Sequence, residues 1–159
     1  ELDEYPNLVV LQTLSKAWGL AGLRLGIAFA STDIIEIYNK VKPPYNINQA
    51  TQEIALEALE KIDQVNQMIR TLIDQREVLA KTLTSLQMVR KVYPSDANFL
   101  LVKMDRAREV YEYLLTEGIV VRDRSRVELC EGCLRITVGT ELENIELIRQ
   151  LQNFQSKKP

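Results

Sequence analysis

The feature that most constrains the fold is a long apolar stripe with helical spacing near the middle of the chain. Between about residues 49 and 86, apolar side chains recur at steps of three and four residues, and Arg76 is the only interruption. They are Ile54, Ala58, Ile62, Val65, Ile69, Leu72, Leu79, Leu83 and Leu86. A single helix of that length would span roughly 57 Å at ~1.5 Å per residue. We therefore expect a bend or break near Ile62, with Asp63 as the cap of the second helix.

Strands are predicted on both sides of this stripe, which favours a long helix linking two lobes over a coiled coil. Residues 8–11 and 25–30 are short, continuous apolar runs, typical of strands that are covered on both faces in a parallel or mixed sheet. The next segment, residues 31–41, predicts a helix that Ser31 or Thr32 caps and that a Pro-Pro pair stops.

From about residue 88 onward the pattern alternates as strand, strand, helix, strand, strand and helix. The first helix of this lobe ends at Gly118, because glycine is the typical residue just past a helix C-terminus. Thr140 and Glu143 predict a capping box at the start of the last helix. The predicted fold class is therefore α/β and α+β: the end of an α/β domain, a long connecting helix and a C-terminal α+β lobe.

The composition excludes several kinds of chemistry and partner. The chain has no histidine, which excludes catalytic triads that use imidazole and zinc sites that contain histidine. Its net charge of -2 and pI near 5.4 come without a block of basic residues, so we expect neither nucleic acid nor a membrane as a partner. No apolar run is long enough to span a membrane and no leader opens the chain, which predicts a cytoplasmic location.

One lysine lies in a setting that favours chemistry over simple solvation. In the stretch TLSKAWGLAGLRLG, Lys16 follows the hydroxyl residues Thr13 and Ser15, and Arg24 lies among the glycines at positions 19, 22 and 26. Hydroxyls, glycines and an arginine suit a phosphate group, and an amine beside a phosphate is what holds pyridoxal phosphate as a Schiff base. A P-loop is the rival interpretation, but there the hydroxyl residue follows the lysine.

Three segments resemble the fold-type I pyridoxal-phosphate-dependent aminotransferases. They are NLVVLQTLSKAWGLAGLRLG, KPPYNINQATQ and GIVVRDRSRVELCEGCLRITVGTELEN. The resemblance implies that Lys16 bonds to the cofactor pyridoxal 5'-phosphate and that Thr13, Ser15 and Arg24 contact its phosphate. It also implies a homodimer.

The same resemblance assigns a role to two arginines in the C-terminal lobe. A single arginine in a strand is usually an edge residue whose head reaches solvent, but Arg122 and Arg135 enter two strands of one lobe. The resemblance implies that Arg135 binds the substrate anion and that Arg122 helps to bind the phosphate of histidinol phosphate, with 2-oxoglutarate or glutamate as the second substrate. A threonine-phosphate decarboxylase or an aromatic aminotransferase of the same fold type is the alternative.

The resemblance also predicts that the chain is the C-terminal part of such an enzyme. Residues 1–48 would be the end of the large cofactor-binding domain, residues 49–87 the connecting helix, and residues 88–159 the small domain. The family's upstream motifs, which stack on the cofactor ring and pair with its nitrogen, are not in this sequence. We therefore expect the chain alone to be inactive, or to be only a folded structural piece.

A pair of cysteines in the sequence CEGC suggests either a thiol redox pair or half of a metal site. Cys130 and Cys133 are the only cysteines, and without histidine one chain cannot complete a Cys/His zinc site. The pair runs into a predicted strand, whereas redox motifs open a helix. We therefore expect a structural role for the pair and no metal site.

Overall fold

The computed structural model describes residues 2–156, and contacts within the chain divide it into two units. The first unit is Glu1–Gln67 and the second is Met68–Pro159. This boundary falls within a helix that spans residues 62–84. The domain boundaries at residues 48 and 87 follow from sequence pattern and remain a prediction.

The first unit begins with a hairpin of two antiparallel strands, β1 (Val9–Thr13) and β2 (Gly26–Ala30). Val9 lies opposite Ala30 and Thr13 lies opposite Gly26. A short 3-10 turn (Ala21–Leu23) lies in the loop that joins the strands. This hairpin places the whole segment that contains Lys16 at one end of the strand pair.

The described residues pair these two strands only with each other. The apolar runs indicated strands covered on both faces in a parallel or mixed sheet, whereas the described pair is antiparallel and two-stranded. The side chain of Leu11 is 76% exposed. An apolar run indicates a tendency to be buried, but strand direction depends on how the connecting loop turns, and this loop folds the chain back on itself.

Three helices follow: α1 (Thr32–Val41), α2 (Gln49–Leu59) and α3 (Ile62–Thr84). Ser31 is at the N-cap of α1, but its hydroxyl donates to the carbonyl of Pro6 rather than capping the helix. The break in the long stripe lies between Leu59 and Ile62. Asp63 is therefore inside the first turn of α3 and is not its cap, although a carboxylate there still interacts favourably with the helix dipole.

The second unit contains a four-stranded antiparallel sheet in the order β3-β4-β6-β5. Its strands and two further helices are β3 (Val89–Val92), β4 (Phe99–Met104), α4 (Ala107–Thr116), β5 (Arg122–Asp123), β6 (Cys133–Thr137) and α5 (Glu141–Ser156). This succession of elements confirms the order predicted from the sequence.

The core of the second unit lies on one face of this sheet. Alternate residues of β4 and β6 are buried there together with side chains of α3, α4 and α5. They include Leu79, Leu83, Leu100, Val102, Leu114, Leu134, Ile136 and Leu151. Because side chains alternate along a strand, the residues between them face the opposite side of the sheet.

The junction between β6 and α5 is held by a dense set of hydrogen bonds. The predicted capping box is confirmed: Glu143 Oε2 accepts from the backbone N–H of Thr140 at 2.7 Å, and Thr140 Oγ1 accepts from the N–H of Glu143 at 3.4 Å. The buried amide of Asn144 accepts from Gly139 N–H at 3.0 Å and donates to Gln75 Oε1 at 3.0 Å. These contacts fix the end of β6 against α3 and α5.

Candidate functional site

Two hydroxyls are fixed at the start of the loop between β1 and β2. The hydroxyl of Thr13 donates to Ser15 Oγ at 2.8 Å, and the backbone N–H of Ser15 donates to Thr13 Oγ1 at 3.1 Å. Leu14, between them, is 2% exposed and anchors the loop. The two hydroxyl oxygens therefore lie next to each other at the end of the hairpin.

Lys16 lies directly after this pair, at the start of a tight turn. Its carbonyl accepts from the N–H of Gly19 at 2.9 Å, and Gly19 has a φ of +67°, a conformation that glycine adopts without strain. The side chain of Lys16 is exposed, and its amine has no hydrogen bond or ion pair within residues 2–156. The amine is therefore accessible from solvent in the described part of the chain.

Arg24 returns to the same end of the hairpin from the other side of the loop. It has the left-handed φ of +53°, and its Nη1 donates to the carbonyl of Ala21 at 3.1 Å. Leu14 N–H meets the carbonyl of Leu25 at 3.5 Å, which closes the loop. Residues 13–15 and Arg24 thus lie close in the fold, although Arg24 is far from them along the chain.

This set of groups fits pyridoxal phosphate. Two adjacent hydroxyls and a guanidinium with remaining N–H donors suit a phosphate monoester, and a primary amine suits an aldehyde. All of them come from the one hairpin end described above. The structure places Thr13, Ser15, Lys16 and Arg24 in or beside the loop that joins β1 and β2, and their role as a cofactor site remains a prediction.

The two arginines of the second unit lie directly opposite each other on neighbouring strands. Arg122 of β5 pairs in register with Arg135 of β6. Leu134 and Ile136 face the core, so Arg135 between them faces the open side of the sheet. Like charges directly opposite on antiparallel strands destabilise a sheet. An anion bound between the two guanidinium groups would remove that repulsion.

The surroundings of Arg135 support this interpretation. Its guanidinium carbon lies 5.1 Å from the centroid of the Phe99 ring, which holds the side chain against the sheet. Its Nε is buried and has no hydrogen-bond acceptor within residues 2–156. A buried donor without an acceptor is unfavourable, and an anionic oxygen would satisfy it.

Sequence reasoning missed the other residues of this face. Lys91 of β3 lies opposite Lys103 of β4, and Leu101, on the same face as Lys103, lies opposite Arg135. Neither lysine has an ion pair in the described part of the chain. The basic residues of these strands were visible in the sequence, but which of them lie opposite each other depends on the register of pairing.

The described residues contain no group of three side chains that could hold a metal ion. The search for a membrane-spanning segment over the same residues found no helix with the required length and apolar character.

Comparison with known proteins defines the class. Residues 1–151 match the family described as aminotransferase class I and II, and the chain belongs to this family. The chain is 52% identical over 153 residues to a histidinol-phosphate aminotransferase of Cytophaga hutchinsonii, a match that covers 96% of this chain and 44% of the relative. The chain thus spans less than half the length of the relative that it matches.

Two solved structures show the same fold. L-threonine-O-3-phosphate decarboxylase from Porphyromonas gingivalis aligns with a TM-score of 0.77 and 28% identity, over 98% of this chain and 49% of that one. Histidinol-phosphate aminotransferase from Sinorhizobium meliloti, solved in complex with pyridoxal-5'-phosphate, aligns with a TM-score of 0.78 and 23% identity, over 95% of this chain and 42% of that one. These likenesses confirm the predicted fold class.

Proposed function

We propose that this chain is the C-terminal part of a pyridoxal-phosphate-dependent aminotransferase that acts on histidinol phosphate with 2-oxoglutarate or glutamate, a step of histidine biosynthesis. The observation that carries the proposal is the cross-strand pair of Arg122 and Arg135 on an open sheet face, which is suited to a phosphate dianion. The 52% identity to a histidinol-phosphate aminotransferase supports the same substrate.

Lys16 has two roles in this proposal. Its amine would hold the aldehyde group of pyridoxal phosphate, and, when released by the substrate amine, it would act as the acid-base that accepts the proton from the substrate Cα and returns it to the cofactor carbon. Pyridoxal phosphate, when bound, supplies an electron sink for that α-carbon. The exposed amine of Lys16 and its place after a fixed pair of hydroxyls suit both roles.

The other side chains bind and orient. Ser15 would donate its hydroxyl hydrogen to the cofactor phosphate, Thr13 would contact the same phosphate once its hydroxyl turns away from Ser15 Oγ, and Arg24 would bind it through its guanidinium. Arg135 binds the anionic end of either substrate, and Arg122 adds a second guanidinium when that end is a phosphate. A homodimer and a cytoplasmic location are part of the same proposal.

The test is a coupled assay of the full-length protein with histidinol phosphate and 2-oxoglutarate. Lys16→Ala should abolish turnover, while Lys40→Ala, which removes an exposed lysine of α1, should leave it unchanged. Arg122→Gln should raise KM for histidinol phosphate more than KM for glutamate, because only the former places a phosphate between the arginines. Full turnover by Lys16→Ala would refute the assignment.

A second candidate follows from the 28% identity and shared fold with a threonine-phosphate decarboxylase. That enzyme class also recognises a phosphorylated substrate, so the arginine pair fits it too. The products separate the two functions: a decarboxylase releases carbon dioxide and needs no oxo-acid acceptor, whereas the proposed aminotransferase converts 2-oxoglutarate to glutamate without gas release.

A further inference from the structure

The two cysteines lie at the ends of a tight turn that leads into β6. The backbone N–H of Cys133 donates to the carbonyl of Cys130 at 3.0 Å, which makes residues 130–133 one β-turn. Gly132, in the third position, has a φ of +69°, the left-handed conformation that such a turn needs there. The turn thus brings the two cysteines together without strain at Gly132.

This geometry is compatible with a disulfide. The ends of a β-turn have Cα atoms less than about 7 Å apart, and disulfides join Cα atoms about 4.4–6.8 Å apart. The chain has two cysteines, so the pairing within one chain is unique. No third metal ligand lies with them among residues 2–156, which leaves a thiol–thiol reaction as the chemistry open to this pair.

The two thiols differ in access. Cys133 is 0% exposed, and its S–H points to the carbonyl of Glu131 at 3.8 Å, whereas Cys130 is partly exposed. Burial raises the pKa of Cys133, and the neighbouring Cys130 raises it further. Cys130 is therefore the thiol that an oxidant meets first, and Cys133 is the one that resolves the product.

The loop that leads into this turn is already closed by backbone hydrogen bonds. Three turns follow one another, and each is closed by a backbone hydrogen bond. The N–H of Val127 donates to the carbonyl of Arg124, that of Cys130 to Val127, and that of Cys133 to Cys130. The N–H of Arg124 then donates to Cys133 O at 2.9 Å, which closes the ring. Because the backbone is fixed in this way, little conformational entropy remains to be lost when the sulfurs join.

We propose that Cys130 and Cys133 form a reversible disulfide within one chain by exchange with a low-molecular-weight disulfide such as glutathione disulfide. The thiolate of Cys130 attacks one glutathione sulfur, the glutathione disulfide bond breaks, and one glutathione leaves as its thiolate. The thiolate of Cys133 then attacks the sulfur of Cys130 and displaces the second glutathione. Two protein thiols are oxidised, and one disulfide is reduced to two glutathione thiols.

The test is mass spectrometry of the full-length protein after equilibration with glutathione disulfide, acid quenching and alkylation. Trypsin releases both cysteines in one peptide, residues 127–135. This peptide should carry no alkyl group and should be lighter than the reduced peptide by two hydrogen atoms. After treatment with dithiothreitol it should carry two alkyl groups.

Two single variants test the assigned order. Cys133→Ser should stop at one glutathione on Cys130, because no resolving thiol is left. Cys130→Ser should take up no glutathione in the folded protein, because Cys133 is buried. The proposal is overturned if the wild-type peptide takes two alkyl groups after oxidation, accumulates a glutathione adduct, or links two chains. Modification of the Cys130→Ser variant as fast as the wild type would overturn the order of attack.

Discussion

Replacing Arg122 with methionine should stabilise the fold while weakening anion binding. Arg122 and Arg135 face each other across β5 and β6, and neither has an ion pair in the described residues. Without an anion between them, the two guanidinium groups repel each other. The Arg122→Met variant keeps a long, unbranched side chain at the position and removes only the charge.

The expected gain can be estimated from the position of the pair. Two like unit charges ~6 Å apart in water repel by roughly 0.7 kcal/mol, and measured cross-strand pairs contribute about 0.2–1 kcal/mol. Arg122 is exposed, so we expect the free energy of unfolding to rise by about 0.5 kcal/mol at low ionic strength. At ~1 M salt, where the Debye length is about 3 Å, the gain should disappear.

Urea unfolding of the chain, followed by circular dichroism, measures this difference. With a slope of ~2 kcal/mol/M, the midpoint should rise by roughly 0.25 M at low salt. Arg90→Met is the matched control, because Arg90 in β3 forms an ion pair with Asp105, so its loss should lower the midpoint. Added inorganic phosphate should stabilise the wild type more than Arg122→Met, since binding to the native state adds stability. An Arg122→Met midpoint that falls like that of the control, or that ignores salt, would refute the reasoning.

Four further predictions follow from the fold and the proposed function. Leu134→Ala should lower the free energy of unfolding by about 3 kcal/mol, since Leu134 is 0% exposed, while Leu142→Ala, at 78% exposed, should change it little in the same urea assay. Gly139→Ala should destabilise the chain by about 1 kcal/mol, because a Cβ there would lie 2.8 Å from Glu143 Oε2 and displace the capping carboxylate, as urea midpoints would show. Hydrogen bonds from the backbone N–H of Thr140, and secondly from its hydroxyl, lower the pKa of Glu143. Wild type should therefore have a higher Tm than Glu143→Gln at pH values above the ordinary pKa of a glutamate, and this difference should disappear as the pH falls through the lowered pKa of the folded state. Thermal unfolding of both proteins across pH measures it. The 159-residue chain alone should not transaminate histidinol phosphate in a coupled assay, because the family's motifs that stack on the cofactor ring and pair with its nitrogen are not in this sequence. Turnover by this chain would contradict that expectation.

Local signals in the sequence were enough for most of the helices and for singling out the loop that contains Lys16. The three- and four-residue spacing of the long stripe predicted helices because that spacing repeats every turn. The capping box of Thr140 and Glu143 was readable because both partners lie in one helical turn. Lys16 was singled out because its neighbours along the chain, Thr13 and Ser15, carry hydroxyls, and the structure joins those two hydroxyls by a hydrogen bond.

Only the tertiary structure decided which distant residues meet. The sequence placed Arg122 and Arg135 on two strands, but the register that puts them face to face, and Lys91 opposite Lys103, depends on backbone hydrogen bonds between separate segments. The antiparallel pairing of β1 with β2 likewise depends on the path of the loop and not on the apolar runs themselves. Sequence patterns report contacts between near neighbours, whereas strand direction and register are set by contacts that close long loops, and a shift of one residue turns every side chain to the other face.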